Sequence, residues 1–442
     1  MALELSNQPV SPFYTIDKIN QSINLYQGRM RLVKQAENTQ ISINGTGEIK
    51  IKWFPQPRLK YTFKCEDYIH NDIFQHGLEL SDLGIYAEAI VGAHSSGQHS
   101  LFEGSLKKPV TLRTDNEISY LKFHLANFHD FIGENIQNSS FLWRGRIVLK
   151  ADSWNVTIDS LEPDLRKKLI KDLKNEGGYA LMHTARLQRQ NSESFSPELG
   201  LNILEGLSYF LSFTRGLWTS PMLLVGFDST DHPIWQQWNF YRMTPYKEVM
   251  SWFPRQKTKT LNEAFSGFMR LWNDPALQES LKIIIHWYIE SNLQAGAIEG
   301  SIILTQAAFE LFFDLLVRKD SRKLKGDEKL RQLFNCASLP IEFANIPSDS
   351  VSLEGLTDFA KNENKDIPKV LSEVRNRITH PERKRDNDSI VHPIRVRQET
   401  WRLSLWYLEL LILYWFDYED LYTNRMKFNW AGDYDKLPWA GE

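Results

Sequence analysis

The chain has 442 residues, of which 42% are hydrophobic and 24% are charged, and its formal net charge is −3. This length exceeds what one ordinary hydrophobic core organises, so two or three domains are expected. The charge excludes a generally basic nucleic-acid-binding protein, so any RNA site must be a local basic patch.

The first 150 or so residues have mainly strand patterns. Residues 41–43 and 49–53 alternate between apolar and polar side chains, and the Asn-Gly-Thr-Gly sequence at 44–47 is a hairpin turn signal. Residues 142–154 give another strand pattern. Together these segments predict an antiparallel sheet or sandwich.

Helices then join the strands. Residues 163–175 and 199–213 are predicted as helices, the second packing on the sheet. A second hairpin follows, with strands at 222–227 and 234–241. The polar and basic stretch 253–260 marks the predicted domain boundary.

Helical periodicity dominates from about residue 264 onward. From Ile298 to Leu316, apolar residues recur every three or four positions and form one stripe. Further helices are predicted over residues 281–291, 368–379 and 398–418. The second half is therefore predicted to be a bundle of four or five helices.

The hexapeptide from Arg375 to His380, followed at once by Pro381, joins an arginine, an amide and a histidine at a predicted helix end. Histidine moves protons near neutral pH and arginine binds phosphate oxygens, as RNA cleavage without a metal requires. Pro381 disfavours helical geometry at His380, so the helix is predicted to end there and His380 to swing toward Arg375. Asn376 is predicted to hold a neighbouring side chain in place. A helix end with a solvated basic face remains the alternative explanation, because an Arg-x4-His pair often arises by chance.

Basic residues in and after the motif are predicted to bind substrate phosphates. They are Arg377, Arg383, Lys384 and Arg385, followed by Arg395 and Arg397. A loop made basic for solubility explains the later ones equally well. His392 is a candidate second proton carrier, although an exposed histidine without a role is the more common case. Glu310 is either a residue that orients Arg375 or a surface glutamate.

The motif and its surroundings resemble a HEPN domain, a helical family with an Arg-Asn-x-x-x-His motif at a helix end and a long apolar helix after it. Arg375, Asn376 and His380 match that motif residue by residue, and residues 398–418 supply the following helix.

The upstream segments 287–288 and 306–310 resemble the first two helices of ApeA-type HEPN proteins, in which a large β-rich domain precedes the HEPN domain. Residues 235–238 also resemble that β-rich domain. The resemblance is strong over about residues 275–425 and looser over residues 1–255.

This resemblance implies a metal-independent endoribonuclease of anti-phage (abortive-infection) defence, with Arg375, Asn376 and His380 as catalytic residues and RNA as substrate. It also implies a homodimer through the HEPN domain and a phage-derived trigger at the N-terminal domain. No metal and no cofactor is expected. Some HEPN domains only bind nucleotides or partners, so the alternative function is a non-catalytic dimerisation, nucleotide-binding or partner-binding module.

The predicted fold class is therefore an α+β, antiparallel β-rich N-terminal domain plus an all-α C-terminal HEPN helical bundle. The predicted domains are a sensor or regulatory domain at residues 1–260, a ribonuclease domain at 264–425 and a tail at 426–442.

A cytoplasmic protein without membrane contact is predicted. The N-terminus lacks the basic and apolar regions of a signal peptide. The apolar run 403–416 is too short to span a bilayer and contains Glu409. Cys65 and Cys336 lie far apart without a zinc spacing, as suits a reducing compartment.

Overall fold

The structure is a computed structural model. It describes residues 7–36, 39–66, 75–96, 99–112, 117–318, 324–346, 351–361, 364–380, 392–427, 430 and 432–440.

A closed antiparallel β-barrel forms the first part of the structure. Its strands are β1 (Ile23–Ala36), β2 (Thr39–Lys52), β3 (Arg58–Cys65), β4 (Gln75–Leu80), β5 (Ile85–Ser96) and β6 (Ser100–Leu106). They follow the order β1-β2-β3-β6-β5-β4, and β4 pairs with β1 to close the barrel. Successive side chains of a strand point to opposite faces, so Leu59, Tyr61 and Phe63 of β3 fill the interior while their neighbours face outward.

The hairpin turn predicted at residues 44–47 is wrong. Strand β2 continues through these residues, which pair with β1 on one side and β3 on the other. A side chain at Gly45 would meet the Phe63 ring, and one at Gly47 would meet the Thr62 carbonyl oxygen. These glycines therefore allow close packing within a sheet, which is the other common reason for glycine in a strand.

An eight-stranded antiparallel sheet follows the barrel. Its strands are β7 (Val110–Leu112), β8 (Tyr120–Ala126), β9 (Glu134–Gln137), β10 (Leu142–Ala151), β11 (Trp154–Ser160), β12 (Leu181–Arg189), β13 (Pro221–Phe227) and β14 (Pro233–Trp238). Their order is β7-β14-β13-β8-β12-β11-β10-β9. The strand pattern predicted at 142–154 is a hairpin, because β10 and β11 meet at a turn in which Asp152 has φ 49°.

Two helices accompany this sheet. Helix α1 (Pro163–Glu176) follows β11, and α2 (Pro197–Arg215) follows β12. The Ser196 hydroxyl caps α2 by accepting from the Leu199 N–H at 3.4 Å. Both helices lie close to their predicted positions.

The remaining elements are mainly helical. They are α3 (Leu261–Trp272), α4 (Gln278–Leu293), α5 (Ala297–Leu316), α6 (Gly326–Cys336), α7 (Glu354–Lys361), α8 (Ile367–Thr379), α9 (Ile394–Trp415), β15 (Leu421–Tyr422) and β16 (Asp435–Lys436). Helix α9 packs against α4, α5, α7 and α8 and forms the centre of this half.

One hydrophobic core joins the sheet, α2 and the helical half. The Phe213 ring of α2 lies 5.2 Å from the Tyr288 ring of α4 and 5.6 Å from the Phe416 ring after α9. The barrel has its own core, completed by side chains of the sheet such as Leu181 and Trp238. The predicted domain limits at residues 260, 264 and 425 stay predictions.

The predicted fold class, an α+β N-terminal domain plus an all-α C-terminal bundle, is wrong. The first half is not the antiparallel sheet or sandwich that the strand patterns predict, because it holds a closed barrel and a separate eight-stranded sheet. The second half is not all-α, because β15 and β16 pair after α9. Closure of the barrel depends on pairing between β1 and β4, which are far apart in sequence, and local periodicity carries no signal for such pairing.

A buried charge explains the glutamate inside the apolar helix α9. The Arg425 guanidinium donates to both carboxylate oxygens of Glu409, and the Tyr288 hydroxyl donates to Oε1 at 2.6 Å. Burial and the adjacent carboxylate raise the pKa of Tyr288 well above its ordinary value. Among the described residues, no helix combines the length and apolar character needed to cross a bilayer.

Candidate functional site

Helix α8 holds the Arg-Asn-x-x-x-His motif on a fixed support. Its N-terminus is capped by Asp366, whose carboxylate accepts from the Lys369 N–H at 3.0 Å. Val370, Leu371 and Val374 are buried, so one face of the helix is anchored in the core. The motif occupies the last turn, where the helix reaches the surface.

The helix ends where Pro381 predicts. Helix α8 stops at Thr379, and His380 has the non-helical angles φ −132° and ψ 70°. The main-chain N–H of His380 still donates to the carbonyl oxygen of Asn376, at 2.7 Å. The backbone of His380 is therefore fixed while its side chain leaves the helical path, which confirms the predicted helix end.

Arg375 and Asn376 form a side-chain pair. Nη1 of Arg375 donates to Oδ1 of Asn376 at 3.0 Å. Arg375 is half-buried, whereas Asn376 is exposed. Because a guanidinium has five N–H donors, this bond leaves others for a phosphate. The contact places the Asn376 amide beside the Arg375 guanidinium, and an orienting role for Asn376 stays a prediction.

The His380 side chain is exposed and does not contact Arg375 through a hydrogen bond. Within the described ranges, its imidazole makes no hydrogen bond or ion pair. The predicted swing of His380 toward Arg375 is thus absent from this arrangement, although both residues lie at the same end of α8. An exposed imidazole on a fixed backbone is accessible to a bound substrate.

His392 is buried, contrary to the more common case considered from the sequence. Its ring packs against Phe359, with ring centroids 4.7 Å apart. Burial first, and then the charge of Arg377, lower the pKa of His392 to about 4. His392 is therefore neutral at physiological pH and lies near the half-buried Arg377 of the motif.

A charged cluster beside α8 was not predicted from the sequence. The Lys365 ammonium pairs with the Glu373 carboxylate and lies 4.5 Å from the centroid of the Phe359 ring. Lys369 reaches the same carboxylate at 3.6 Å. The Lys369–Glu373 spacing of four residues was the available signal. These pairs fix the face of α8 next to the motif.

Other candidate residues are held in ion pairs with residues outside the motif. Glu310 pairs with Lys329 of α6, so it does not orient Arg375. Arg395 binds Glu399 of its own helix at 3.0 Å and also pairs with Glu354 of α7, and Arg397 pairs with Glu299 of α5. Arg395 and Arg397 thus tie the start of α9 to its neighbours and are poorly placed to bind phosphate.

The remaining predicted substrate-binding residues, Arg383, Lys384 and Arg385, lie outside the described residues. In the part of the chain that the structure describes, no three His, Cys, Asp or Glu side chains cluster as metal ligands would.

Comparison with known proteins gives two similar regions. The family described as "YopA central domain" matches residues 113–249, and the family described as "YopA C-terminal domain" matches residues 274–435. The chain is similar to YopA domains over both regions. It is also 25% identical over 430 residues to the SPbeta prophage-derived uncharacterized protein YopA of Bacillus subtilis (strain 168), covering 95% of this chain and 96% of that protein. No solved structure matches the chain.

These similarities leave the HEPN resemblance a prediction. The motif residues Arg375, Asn376 and His380 lie inside the region similar to the YopA C-terminal domain. Neither family description refers to a HEPN domain or to an ApeA-like protein. The β-barrel lies before both matched regions, whereas the relative is similar over nearly the whole chain.

Proposed function

We propose that this chain is a metal-independent endoribonuclease that acts through Arg375, Asn376 and His380. The observation that carries the proposal is an exposed imidazole on a fixed helix end, five residues after an arginine that is already held by an amide. Proton transfer and phosphate charge stabilisation are the two tasks in RNA transesterification, and these residues suit both.

In the proposed reaction, the 2′-oxygen of a ribose attacks the adjacent phosphorus and the bond to the 5′-oxygen breaks. His380 takes the proton of the 2′-hydroxyl or gives one to the leaving 5′-oxygen. Arg375 stabilises the negative charge on the phosphorane oxygens, and Asn376 holds the guanidinium in place. The products carry 2′,3′-cyclic phosphate and 5′-hydroxyl ends.

A second proton carrier is needed to complete this reaction. His392 is a poor candidate, because it is buried against Phe359 and burial lowers its pKa to about 4. A second copy of the chain would supply another His380 if two motifs faced each other across a two-fold axis. The proposal therefore includes a homodimer formed through the helical half.

The biological setting of this proposal is anti-phage defence in the cytoplasm. The similar Bacillus subtilis protein is prophage-derived, which connects a related chain with phage genomes. A ribonuclease that is always active would harm its own cell, so the β-rich first half is proposed to respond to a phage-derived trigger.

The test is incubation of the purified protein with total RNA in excess chelator. The proposal expects RNA fragments with 2′,3′-cyclic phosphate ends. Strict dependence on added Mg²⁺ or Mn²⁺ would contradict the metal-independent mechanism. Intact RNA together with tight binding of a nucleotide would favour the non-catalytic alternative.

A further inference from the structure

Five cations share the outward face of two neighbouring barrel strands. They are Lys50 and Lys52 on β2 and Arg58, Lys60 and Lys64 on β3. Strand alternation determines this arrangement, because the residues between them, such as Ile51 and Leu59, are buried in the barrel. Between residues 39 and 65, Glu48 is the only acidic residue. This set of five cations is called the β2–β3 basic face below.

The strand register places like charges directly opposite each other. Lys50 pairs with Lys60, and Lys52 pairs with Arg58. Directly opposite side chains have Cβ atoms about 5 Å apart, and like charges at such positions destabilise a sheet. Two such pairs side by side produce a strong local positive potential that folding alone does not require.

On strand β1 of the same barrel, by contrast, arginines have acidic partners. On the outward faces of β1 and β4, Arg31 stands directly opposite Glu79 and forms an ion pair with it. Arg29 binds Asp82 at 2.8 Å, in the turn that follows β4. The β2–β3 basic face is therefore an exception within one small structure.

Two carboxylates, those of Glu48 and of Glu103 on β6, lie beside the five cations of the β2–β3 basic face. Glu48 binds Lys50 at 2.6 Å. Within the described ranges, Lys52, Lys60 and Lys64 have no ion-pair partner. These three charges are available to a ligand.

A hollow lies beside these lysines. It has a volume of about 300 Å³ and is bordered by Lys50, Lys52, Lys60 and Glu48 on one side and by Gly92, Ala93, Gly104 and Glu103 on the other. Strand β5 has a bulge at Gly92, between Val91 and Ala93, and the small residues lie at this bulge. Because they have little or no side chain, a ribose–phosphate unit can approach the backbone next to the ammonium groups.

We propose that the β2–β3 basic face binds the phosphate backbone of single-stranded RNA. The inference rests on the proposed ribonuclease function for the choice of RNA, while the charge arrangement stands without it. A chain with a net charge of −3 needs a local patch to attract RNA, and this face supplies one. Among the described residues, the barrel core includes no side chain from the helical half. This face therefore belongs to the barrel, whereas His380 lies at the end of α8 in the helical half.

The test measures RNA binding by fluorescence anisotropy, using full-length protein that carries His380→Ala so that RNA stays intact. The probe is a fluorescein-labelled oligouridylate of about 16 nucleotides, the upper end of the site size of a small barrel module. Lys52→Glu/Lys60→Glu is compared with Lys167→Glu/Lys171→Glu on the exposed side of α1, which changes the net charge equally. Lys52→Gln/Lys60→Gln repeats the experiment without charge reversal, in case the first variant folds poorly.

The proposal expects Kd to rise at least about tenfold in both Lys52/Lys60 variants and to stay within about twofold in the α1 control. Each lost phosphate contact lowers the slope of log K against log salt by about 0.7 for a single strand, so the Lys52→Gln/Lys60→Gln variant should lose about 1.4. No RNA binding by the parent protein, or equal weakening in the α1 control, would overturn it. Failure of the ribonuclease proposal is seen separately, as intact RNA with wild-type protein whose binding is normal.

Discussion

The main-chain N–H of His380 donates to the carbonyl oxygen of Asn376 at 2.7 Å, and this bond closes the last turn of α8. It fixes the backbone of the histidine at the point where the helix stops. The same Asn376 accepts from Arg375 through its side chain at 3.0 Å. Asn376 therefore links the two residues to which the proposed chemistry assigns the proton and the phosphate charge.

The first prediction concerns this linking role. Asn376→Ala removes the acceptor for Arg375 but keeps the main-chain bond to His380, so the fold should be unaffected. Because misplacing a catalytic group by about 1 Å can cost about 10²-fold in rate, we expect RNA cleavage to fall by about 10- to 100-fold. The exposed Asn135→Ala is the matched control. Equal cleavage rates for Asn376→Ala and this control would remove Asn376 from the site.

The parts of this structure that rest on local signals were predictable from the sequence. The stripe on α5 is an example, because Ile302, Thr305, Phe309 and Phe312 are buried as their spacing predicts. The end of α8 before Pro381 is another. In both cases the signal lies within a few residues of the structure it determines.

The parts that depend on distant partners were not predictable. Barrel closure needs β1 to pair with β4. The burial of His392 depends on Phe359, which belongs to another helix. Glu409 is stable inside an apolar helix because Arg425 and Tyr288 of α4 donate hydrogen bonds to its carboxylate. A single sequence carries no record of which distant residues meet.

A second prediction concerns the buried pair between Arg425 and Glu409. Arg425→Met leaves a buried carboxylate without its cation, and breaking a buried ion pair in this way typically costs about 3–5 kcal/mol. Urea denaturation should show a loss of this size in the free energy of unfolding. Arg318→Met breaks an exposed pair with Asp314 and is the control, since such pairs contribute about 0–1 kcal/mol. Equal losses in both variants would contradict this role for Arg425.

A third prediction concerns acid sensitivity. Burial lowers the pKa of His124 and of His183 to about 3 and that of His76 to about 4. These histidines stay neutral in the folded protein but bind protons below about pH 6.5 when the chain is unfolded. Their contribution to stability is present above pH 6.5 and is lost as the pH falls. As the pH falls from 7.5 to 5.0, proton binding by each of these histidines in the unfolded chain should lower the free energy of unfolding by about 2 kcal/mol.

Melting temperatures measured across this pH range test the third prediction. His124→Gln should reduce the fall in melting temperature, because glutamine does not titrate. The exposed His232→Gln should leave that fall unchanged. A melting temperature of the wild-type protein that stays constant from pH 7.5 to 5.0 would refute the prediction.

A fourth prediction follows from the shared core. The Phe210 ring of α2 lies 5.1 Å from that of Phe265 and 5.5 Å from that of Phe268, and Phe213 lies 5.2 Å from Tyr288. A fragment of residues 264–442 lacks α2 and would therefore expose the rings of Phe265, Phe268 and Tyr288 to water. We expect it to aggregate or to melt without a cooperative transition, whereas the full chain melts cooperatively. A cooperative transition in the fragment would instead support the domain limit predicted from the sequence.

The most direct test of the ribonuclease proposal is the cleavage rate of total RNA in excess EDTA by His380→Ala and by the matched control His232→Ala. His232 is exposed on a turn of the sheet far along the chain from the motif, so its loss should leave the rate unchanged. A general acid or base typically contributes about 10²–10⁴-fold, and we expect His380→Ala to lose that factor while its melting temperature stays at the wild-type value. Cleavage by His380→Ala within about threefold of the wild-type rate would contradict the assignment of His380 and, with it, the proposed mechanism.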